Sequence, residues 1–540
     1  MTARWAPSAL ALLCACAAPR AAERPSEAHA PVSPSSSAVV VDGEMTEWTG
    51  HPPVVADSLG DDSGRVDLTA VAQRQDAQYV YLHLLFRRPV SLLSLGGTLS
   101  LAFDADGDAA TGAELEGLPG ADFAIDWSPR DSSGHPTEGV ALRVVGPGGL
   151  VRRTDAHQSG LTTLPGVLSP SFELRVARGR QLGDTLAARP TFTGGVYRAR
   201  LAYHDASGSV RDGLPAFTVR LAEPYRAEQV AAQPEDPLRR ANGTAFRVLQ
   251  WNTADHGLME RPEVFRRIIR ALDPDVMMLH EVNGELGREG MARFLASLDT
   301  ASRKIPWRFS FGGGGGYQHS IVASRNVVTE FSEFRFIPYQ RPERDSLLAL
   351  APAASRERLR TGLDAGLATG GAVVELAGGR MAAFPLDLQS AGNDPASWQE
   401  RRRRWEARLI REHATRALER LPRPDGVVVA GDFNLVATDS ALRILLAPGL
   451  APGLEPMRVA DARQLDGRTA ATWDAGRGPF TPGRLDWFLY GGGTLVVRRS
   501  FVFDARDLSD RWLAAHGLRR DDTDRASDHM PIVVDFDWRR

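Results

Sequence analysis

Cysteine is almost missing from this chain of 540 residues: Cys14 and Cys16 are the only two, both within the first twenty positions. The remainder can therefore hold neither a disulfide framework nor a thiolate zinc site. Lysine is scarcer still, with Lys304 alone, so nearly every cation is an arginine. A deficit this uniform reads as the bias of a GC-rich genome rather than as selection for guanidinium–phosphate contacts. No apolar run approaches the roughly 18 residues of a membrane-crossing helix. Net charge is small as well: −3 overall, +3 from Thr244 onward and −6 before it. Neither half is a polybasic nucleic-acid binder. What is present, 43% hydrophobic and 24% charged residues, is too apolar for disorder and too long for one ordinary domain. A multidomain protein with two or three cores is expected.

Residues 1–22 read as an export signal, with Arg4 in a short basic start, an apolar run from Ala9 to Ala15, then small residues and Pro19. Leu13-Cys14-Ala15-Cys16 resembles a bacterial lipobox, which would make Cys16 a lipidated first residue; cleavage after Ala22 is the competing reading. Both predict an exported protein, either a cell-envelope lipoprotein or a secreted one, that meets a membrane only through an N-terminal lipid anchor. Residues 23–38 form a Pro/Ser/Ala-rich tether with nothing to bury.

From Val39 to Leu221 the chain alternates short apolar runs with Asp-Gly, Gly-Gly and Ser-Gly turns, and helical periodicity is hardly visible. This predicts an all-β sandwich over 39–221, with residues 39–48, 66–75, 79–86, 99–108, 123–129, 140–146, 197–208 and 217–221 among its strand segments. Asp104, Asp106 and Asp108 alternate around Gly107, so their oxygens are candidate Ca²⁺ ligands; the competing reading is a hairpin whose acids bond their own turn. Trp48, Tyr79, Tyr81 and Trp127 are candidates for stacking on sugars, although in a sandwich such rings more often fill the core. The succession Asp42-Gly43, Glu47-Trp48, Asp67-Leu68, Tyr79-Val80-Tyr81, Phe103–Asp106, Thr111-Gly112 and Ala121–Phe123 resembles the family 9 carbohydrate-binding-module-like sandwich. That resemblance implies a glycan as a partner.

Residues 222–243, with two prolines and no apolar stripe, read as a linker. Beyond them strands and helices alternate: Phe246–Trp251, then a helix over 262–272 with Val264, Ile268 and Leu272 on one face, then Val276–Leu279. A helix over 289–298, a strand over 320–323, a helix over 395–421 and a buried strand over 427–430 follow. Residues 244–540 are predicted to form a layered α/β domain. The arginine run 401–404, interleaved with Glu400 and Glu406, reads as a solvated helix face.

Acids and amides recur at the C-terminal ends of these strands: Asn252, Glu281, Asp432 with Asn434, Asp486, and the pair Asp528-His529. One such residue is commonplace as a cap; six positions in one domain point to a shared rim. Gly-Asp-Phe-Asn at 431–434, Ser-Asp-His-Met-Pro-Ile at 527–532 and Arg-Leu-Asp-Trp-Phe at 484–488 resemble, in order and spacing, the endonuclease/exonuclease/phosphatase superfamily. The resemblance spans 244–540 and implies the four-layered α/β sandwich of deoxyribonuclease I. It also implies an enzyme hydrolysing a phosphate ester, whose barrier falls mainly through positioning and charge neutralisation. Asn252, Glu281 and Asp528 would then hold Mg²⁺ or Mn²⁺. Asp432 would orient water, Asn434 would hold water or phosphate, and His529, steadied by Asp486, would donate to the phosphate.

The chain departs from the superfamily's pattern at Asp387, which stands where most relatives carry a phosphate-facing His, and at His280, which replaces the usual Gln before the Glu. An anion at 387 repels phosphate unless protonated or metal-bound, so Asp387 is a candidate second-metal ligand or a defect. The glycines of 312–316 read as a mobile loop beside the substrate or a solvated one without a role. Nucleic acid, a phospholipid or inositol phosphate and a small phosphoester all remain open as substrates. So does a glycan-binding protein that has lost turnover. A monomer is expected.

Overall fold

In the computed structural model, the described residues are 39–539, except 58–63, 65, 183–188, 193, 228–229, 231, 301–304, 421–423 and 451–454. The export signal, lipobox and tether expected over 1–38 lie outside them. No helix among the described residues is long and apolar enough to cross a membrane.

Side-chain alternation along the strands sorts the cores of the C-terminal part. Val248, Met278, Ala383 and Val428 belong to one apolar cluster, while their neighbours Leu249 and Met277 belong to a second and Ala382 and Val427 to a third. Successive strand residues point to opposite faces, so strands that are apolar throughout must be covered on both. Two six-stranded sheets meet this demand. One runs in the order Arg308–Phe311, Gln318–Ser324, Val276–Asn283, Phe246–Asn252, Ile532–Trp538, Leu495–Val502. The other runs Val328–Glu330, Ala372–Leu376, Gly379–Asp387, Gly426–Asp432, Asp486–Gly491, Arg458–Val459. Their facing sides share the middle cluster, and helices cover the outer sides.

Each sheet contains one parallel pair joined by a helix. Phe246–Asn252 pairs with Val276–Asn283 across helix Pro262–Leu272, and Gly379–Asp387 pairs with Gly426–Asp432 across helix Trp398–Arg420. Pro262 begins the first helix, where its missing N–H costs nothing; Val264, Phe265, Ile268, Ile269 and Leu272 form its buried stripe. In open α/β sheets the C-terminal ends of parallel strands are where ligands bind. Here those ends carry Asn252, Glu281, Asp387 and Asp432.

The N-terminal part is β-rich. A sheet ordered Val55–Ala56, Leu68–Gln75, Tyr79–Val90, Ser169–Ala177, Thr162–Leu164 and a second sheet centred on Thr98–Asp104 and Phe123–Trp127 contribute to one apolar cluster. Residues 39–48 depart from the strand expected there. The segment makes one bridge, Val41 to Thr469, and a short 3₁₀ turn at Thr46–Trp48. The cause is Glu173, whose buried carboxylate accepts from the Asp42 and Gly43 backbone N–H groups and from Trp48 Nε1 and so bends the chain.

The aromatic candidates are core residues. Trp48, Tyr79, Tyr81 and Trp127 are all buried, so none offers a ring face to a sugar. Of the three aspartates of the 104–108 turn, Asp104 and Asp106 converge as expected and Asp108 does not. Asp108 accepts from its own turn at Ala110 N, Asp104 binds Arg198, and it is Asp122 whose carboxylate lies within 4.8 Å of those of Asp104 and Asp106. Short acids bonding a turn explain the alternating pattern.

Residues 39–540 form one compact unit. Val41 exchanges backbone hydrogen bonds with Arg468 and Ala470, Leu168 N donates to Ala437 O, and Val140 N donates to Pro479 O at 2.6 Å. Part of the expected linker also packs on the C-terminal part: Gln233 bonds Ser509 and Trp512, and Leu238 is buried beneath Arg247. Arg247 itself is almost fully buried; it bonds Asp535 through two nitrogens, at 2.6 and 3.0 Å, and the carbonyls of Leu238 and Leu272. Asp535→Ala strands that guanidinium in the core and is expected to cost about 3–5 kcal/mol, read as a lower urea midpoint at unchanged m-value.

Arg401 and Arg404 of the arginine run are exposed or half-exposed, as expected of a solvated face, but Arg402 and Arg403 are not. Arg403 is fully buried against Glu400 and donates to the carbonyls of Gln389 and Ala391; Arg402 bonds Glu406, Tyr339 and Gln389. These bonds clamp residues 389–391, the loop directly after Asp387. The glycine run 312–316 is also not loose: a Cβ at Gly313 would lie 2.0 Å from Arg335 O, and one at Gly314 2.2 Å from Leu367 O. Close approach of backbones explains these two glycines.

Candidate active site

Four strand ends from both sheets bring the candidate residues together. Asn252 ends its strand fully buried, donating through Nδ2 to Glu281 Oε1 at 2.9 Å and to Asp432 Oδ2 at 3.4 Å. Glu281 sits where the pairing of its strand shifts register, at φ +51°. Asn434 has φ +49°. Left-handed backbone at non-glycine residues is costly and collects at functional sites. Asn434 is held by Nδ2 donating to Leu388 O at 2.9 Å, and its N–H donates to Asp432 Oδ1 at 2.8 Å. Gly431 cannot be another residue, because a Cβ there would meet Leu386 O at 1.9 Å with φ at +153°. This fixes the strand crossing that delivers Asp432 beside Asp387, its register partner.

Carboxylate oxygens of Glu281, Asp387 and Asp432 lie within 4.8 Å of one another. Burial, then the charges of Glu281 and Asp432, push the Asp387 carboxyl well above its ordinary range. Asp432 is pushed up to about 7, by burial first and then by Asp486 and Glu281, with His529 opposing. Such crowding favours a shared proton or a cation. The donor set of three carboxylates is that of a hard divalent ion, so these residues fit Mg²⁺ or Mn²⁺; Asn252, expected as a ligand, turns its Nδ2 to Glu281 and Asp432 and its Oδ1 to the Ala254 N–H, and so offers the ion no oxygen.

His529 stands beside them, its Nε2 3.7 Å from Asp432 Oδ2 and its Nδ1 2.8 Å from Asp486 Oδ2. Burial works against its charge, but Asp486 and Asp432 outweigh it and raise the imidazole to about 10. For Asp486 burial raises the carboxyl, yet the charge of His529 and hydrogen bonds from His280 and His529 hold it below the usual carboxylate range. The other Asp486 oxygen accepts from Gln250 Nε2 at 2.8 Å and faces His280 Nε2 at 3.5 Å.

Of the predicted residues, Asn252, Glu281, Asp387, Asp432, Asn434, Asp486 and His529 converge. Asp528 does not join the carboxylate cluster: it is exposed, and its carboxylate accepts from Trp473 Nε1 at 2.9 Å. As the neighbour of His529 on an extended chain it turns the opposite way. Gln250 and His280, buried behind Asp486, were not assigned roles from the sequence. Period-two alternation from Asn252 and its register partner, His280, is the signal that pointed there.

The family model described as Endonuclease/Exonuclease/phosphatase family matches residues 249–529. No curated protein matches the chain. Among solved structures, D. rerio TDP2 complexed with a single strand DNA product is 17% identical, covering 54% of this chain and 98% of that one, with a TM-score of 0.34. The human Nocturnin catalytic domain with bound sulfate is 16% identical over 54% of this chain and 94% of that one, TM-score 0.33. An endonuclease/exonuclease/phosphatase from Bacteroides vulgatus is 14% identical over 54% and 99%, TM-score 0.34.

Proposed function

This chain belongs to the endonuclease/exonuclease/phosphatase family, and from that premise we propose that it is a divalent-metal-dependent phosphoesterase acting first of all on phosphodiesters. The observation that carries the reading is the convergence of the Glu281, Asp387 and Asp432 carboxylates beside the His529–Asp486 pair.

Glu281, Asp387 and Asp432 would hold Mg²⁺ or Mn²⁺, with Asn252 orienting the Glu281 and Asp432 carboxylates through its amide. A bound cation supplies charge neutralisation at the phosphoryl oxygens and the departing oxygen. Asp432 orients the attacking water and takes up a proton as the new P–O bond forms in line with the ester P–O bond that breaks. His529 donates from Nε2 to a phosphoryl oxygen, because Nδ1 is committed to Asp486. The leaving alkoxide acquires a proton from solvent. Asn434 holds the 388 and 432 segments together and fixes the direction of the Asp432 carboxylate.

Chelation with EDTA is expected to abolish hydrolysis of bis(p-nitrophenyl) phosphate by the purified protein, and added Mg²⁺ or Mn²⁺ to restore it. Full turnover after exhaustive chelation would overturn metal dependence. Export remains part of the proposal: Cys16→Ser is expected to release the protein from the membrane fraction of its host if Cys16 is lipidated, whereas a native N-terminus just after Ala22 would assign free secretion.

A further inference from the structure

A cavity of about 320 Å³ is lined both by Glu281, Asp432 and His529 and by the N-terminal β-rich part. Leu92, Leu93, Glu138, Thr163, Pro165 and Phe172 are among the residues of the β-rich side. The remaining wall includes Phe480 and Pro482 of a loop that the β-rich part grips: Val140 N donates to Pro479 O, and Gly478 N donates to the Asp155 carboxylate at 2.5 Å. The cavity is therefore a joint product of both parts.

Two features of its lining point to one kind of occupant. Leucine, proline and phenylalanine dominate the side opposite the carboxylates in sequence, which suits an apolar group. Arg484 lines the same cavity without a direct ion pair or hydrogen bond to any described residue; its guanidinium stacks 3.9 Å over the Trp487 ring, and the carboxylates of Asp461, Asp42 and Glu44 act on it only at longer range. Guanidinium suits an anionic phosphoryl oxygen.

We propose that the β-rich part is the specificity-determining half of the substrate pocket, and that the substrate is a small phosphodiester bearing an apolar group rather than a nucleic acid strand. This rests on the phosphoesterase reading above. The volume lies at the lower end of small-molecule sites. A strand needs a long cationic groove with repeated stacking platforms, whereas this pocket is small, with apolar groups and Glu138 on its β-rich side and Arg484 as its single arginine.

The test uses the full chain with Mg²⁺ and two readouts. In the first, calorimetric binding of diphenyl phosphate is compared with that of dimethyl phosphate, for the wild type, Leu93→Asp and the milder Leu93→Ala. Leu93 is only partly buried, so at least the alanine variant is expected to fold, which a thermal melt checks. Diphenyl phosphate should bind at least tenfold more tightly than dimethyl phosphate, and the preference should collapse in Leu93→Asp and shrink in Leu93→Ala. A wild-type preference below threefold, or one unchanged in both folded variants, overturns the proposal. In the second readout, kcat/KM for bis(p-nitrophenyl) phosphate, for a short-chain phosphatidylcholine below its micellar concentration and for a 20-mer single-stranded DNA is measured. Either of the first two exceeding the DNA supports the pocket and tells an aryl from an acyl source, while DNA cleavage matching both overturns it. Absence of all hydrolysis with the diphenyl phosphate preference intact refutes the phosphoesterase reading and leaves the pocket standing.

Discussion

His529→Ala is expected to lower turnover of bis(p-nitrophenyl) phosphate by about 10²–10⁴-fold, the range for a positioned group that holds or moves a proton in the transition state. The reason lies in how completely the ring is fixed. Its backbone N–H donates to Ser527 Oγ at 3.0 Å, its carbonyl accepts from Trp251 Nε1 at 2.8 Å, and Nδ1 is bonded to Asp486. Only Nε2 remains for substrate, on the side of the carboxylate cluster. Asp486 acts through His529, as a positioning residue, and Asp486→Asn replaces an anion by a neutral amide that either abandons the imidazolium charge or selects the wrong tautomer. The loss in Asp486→Asn should therefore be large alone and small when added to His529→Ala, because groups acting as a unit are non-additive. Kinetics of the double-mutant cycle check this. Additive losses would separate the two residues, and wild-type turnover in both single variants would remove them from the mechanism.

How far residues could be assigned in advance depended on whether their chemistry was local. Gly431-Asp432-Phe433-Asn434 carries its own geometry: the glycine admits the neighbouring strand, and the Asn434 N–H bonds Asp432 two residues back. Helix 262–272 was legible for the same reason, since its proline start and apolar spacing are local signals. Arg402 and Arg403 were not. A Glu–Arg pair at helical spacing looks the same whether it faces water or clamps a buried loop, and only the tertiary partners Tyr339, Gln389 and Ala391 decide. Segment 39–48 looked like a strand because its valines are apolar, but its burial comes from Glu173 and from residues 468–470, far away in the chain. Asp528 is given to the metal by the resemblance alone, and alternation along extended backbone sends its carboxylate to Trp473 instead. The joint cavity depends on contacts between residues separated by hundreds of positions, which no spacing in the sequence encodes.

Asp387 offers the sharpest remaining test, because its carboxylate either belongs to the cation site or obstructs the phosphate. The geometry favours the first. Its oxygen lies within 4.8 Å of those of Glu281 and Asp432, and burial together with these two neighbours opposes its ionisation, a conflict that a divalent cation between the three resolves. Asp387→Asn keeps the size and removes one anionic ligand. The Mg²⁺ concentration for half-maximal activity is expected to rise at least about tenfold, since even residues that merely support metal ligands shift affinity by about 10–100-fold. Asp387→His exchanges a hard anionic oxygen for a neutral nitrogen, so it should also lose activity at low Mg²⁺. Saturating Mg²⁺ should recover part of the loss in Asp387→Asn. If instead Asp387→His turns over faster than the wild type at every Mg²⁺ concentration, the carboxylate opposes the phosphate, and the cation would have to be held by Glu281 and Asp432 without it.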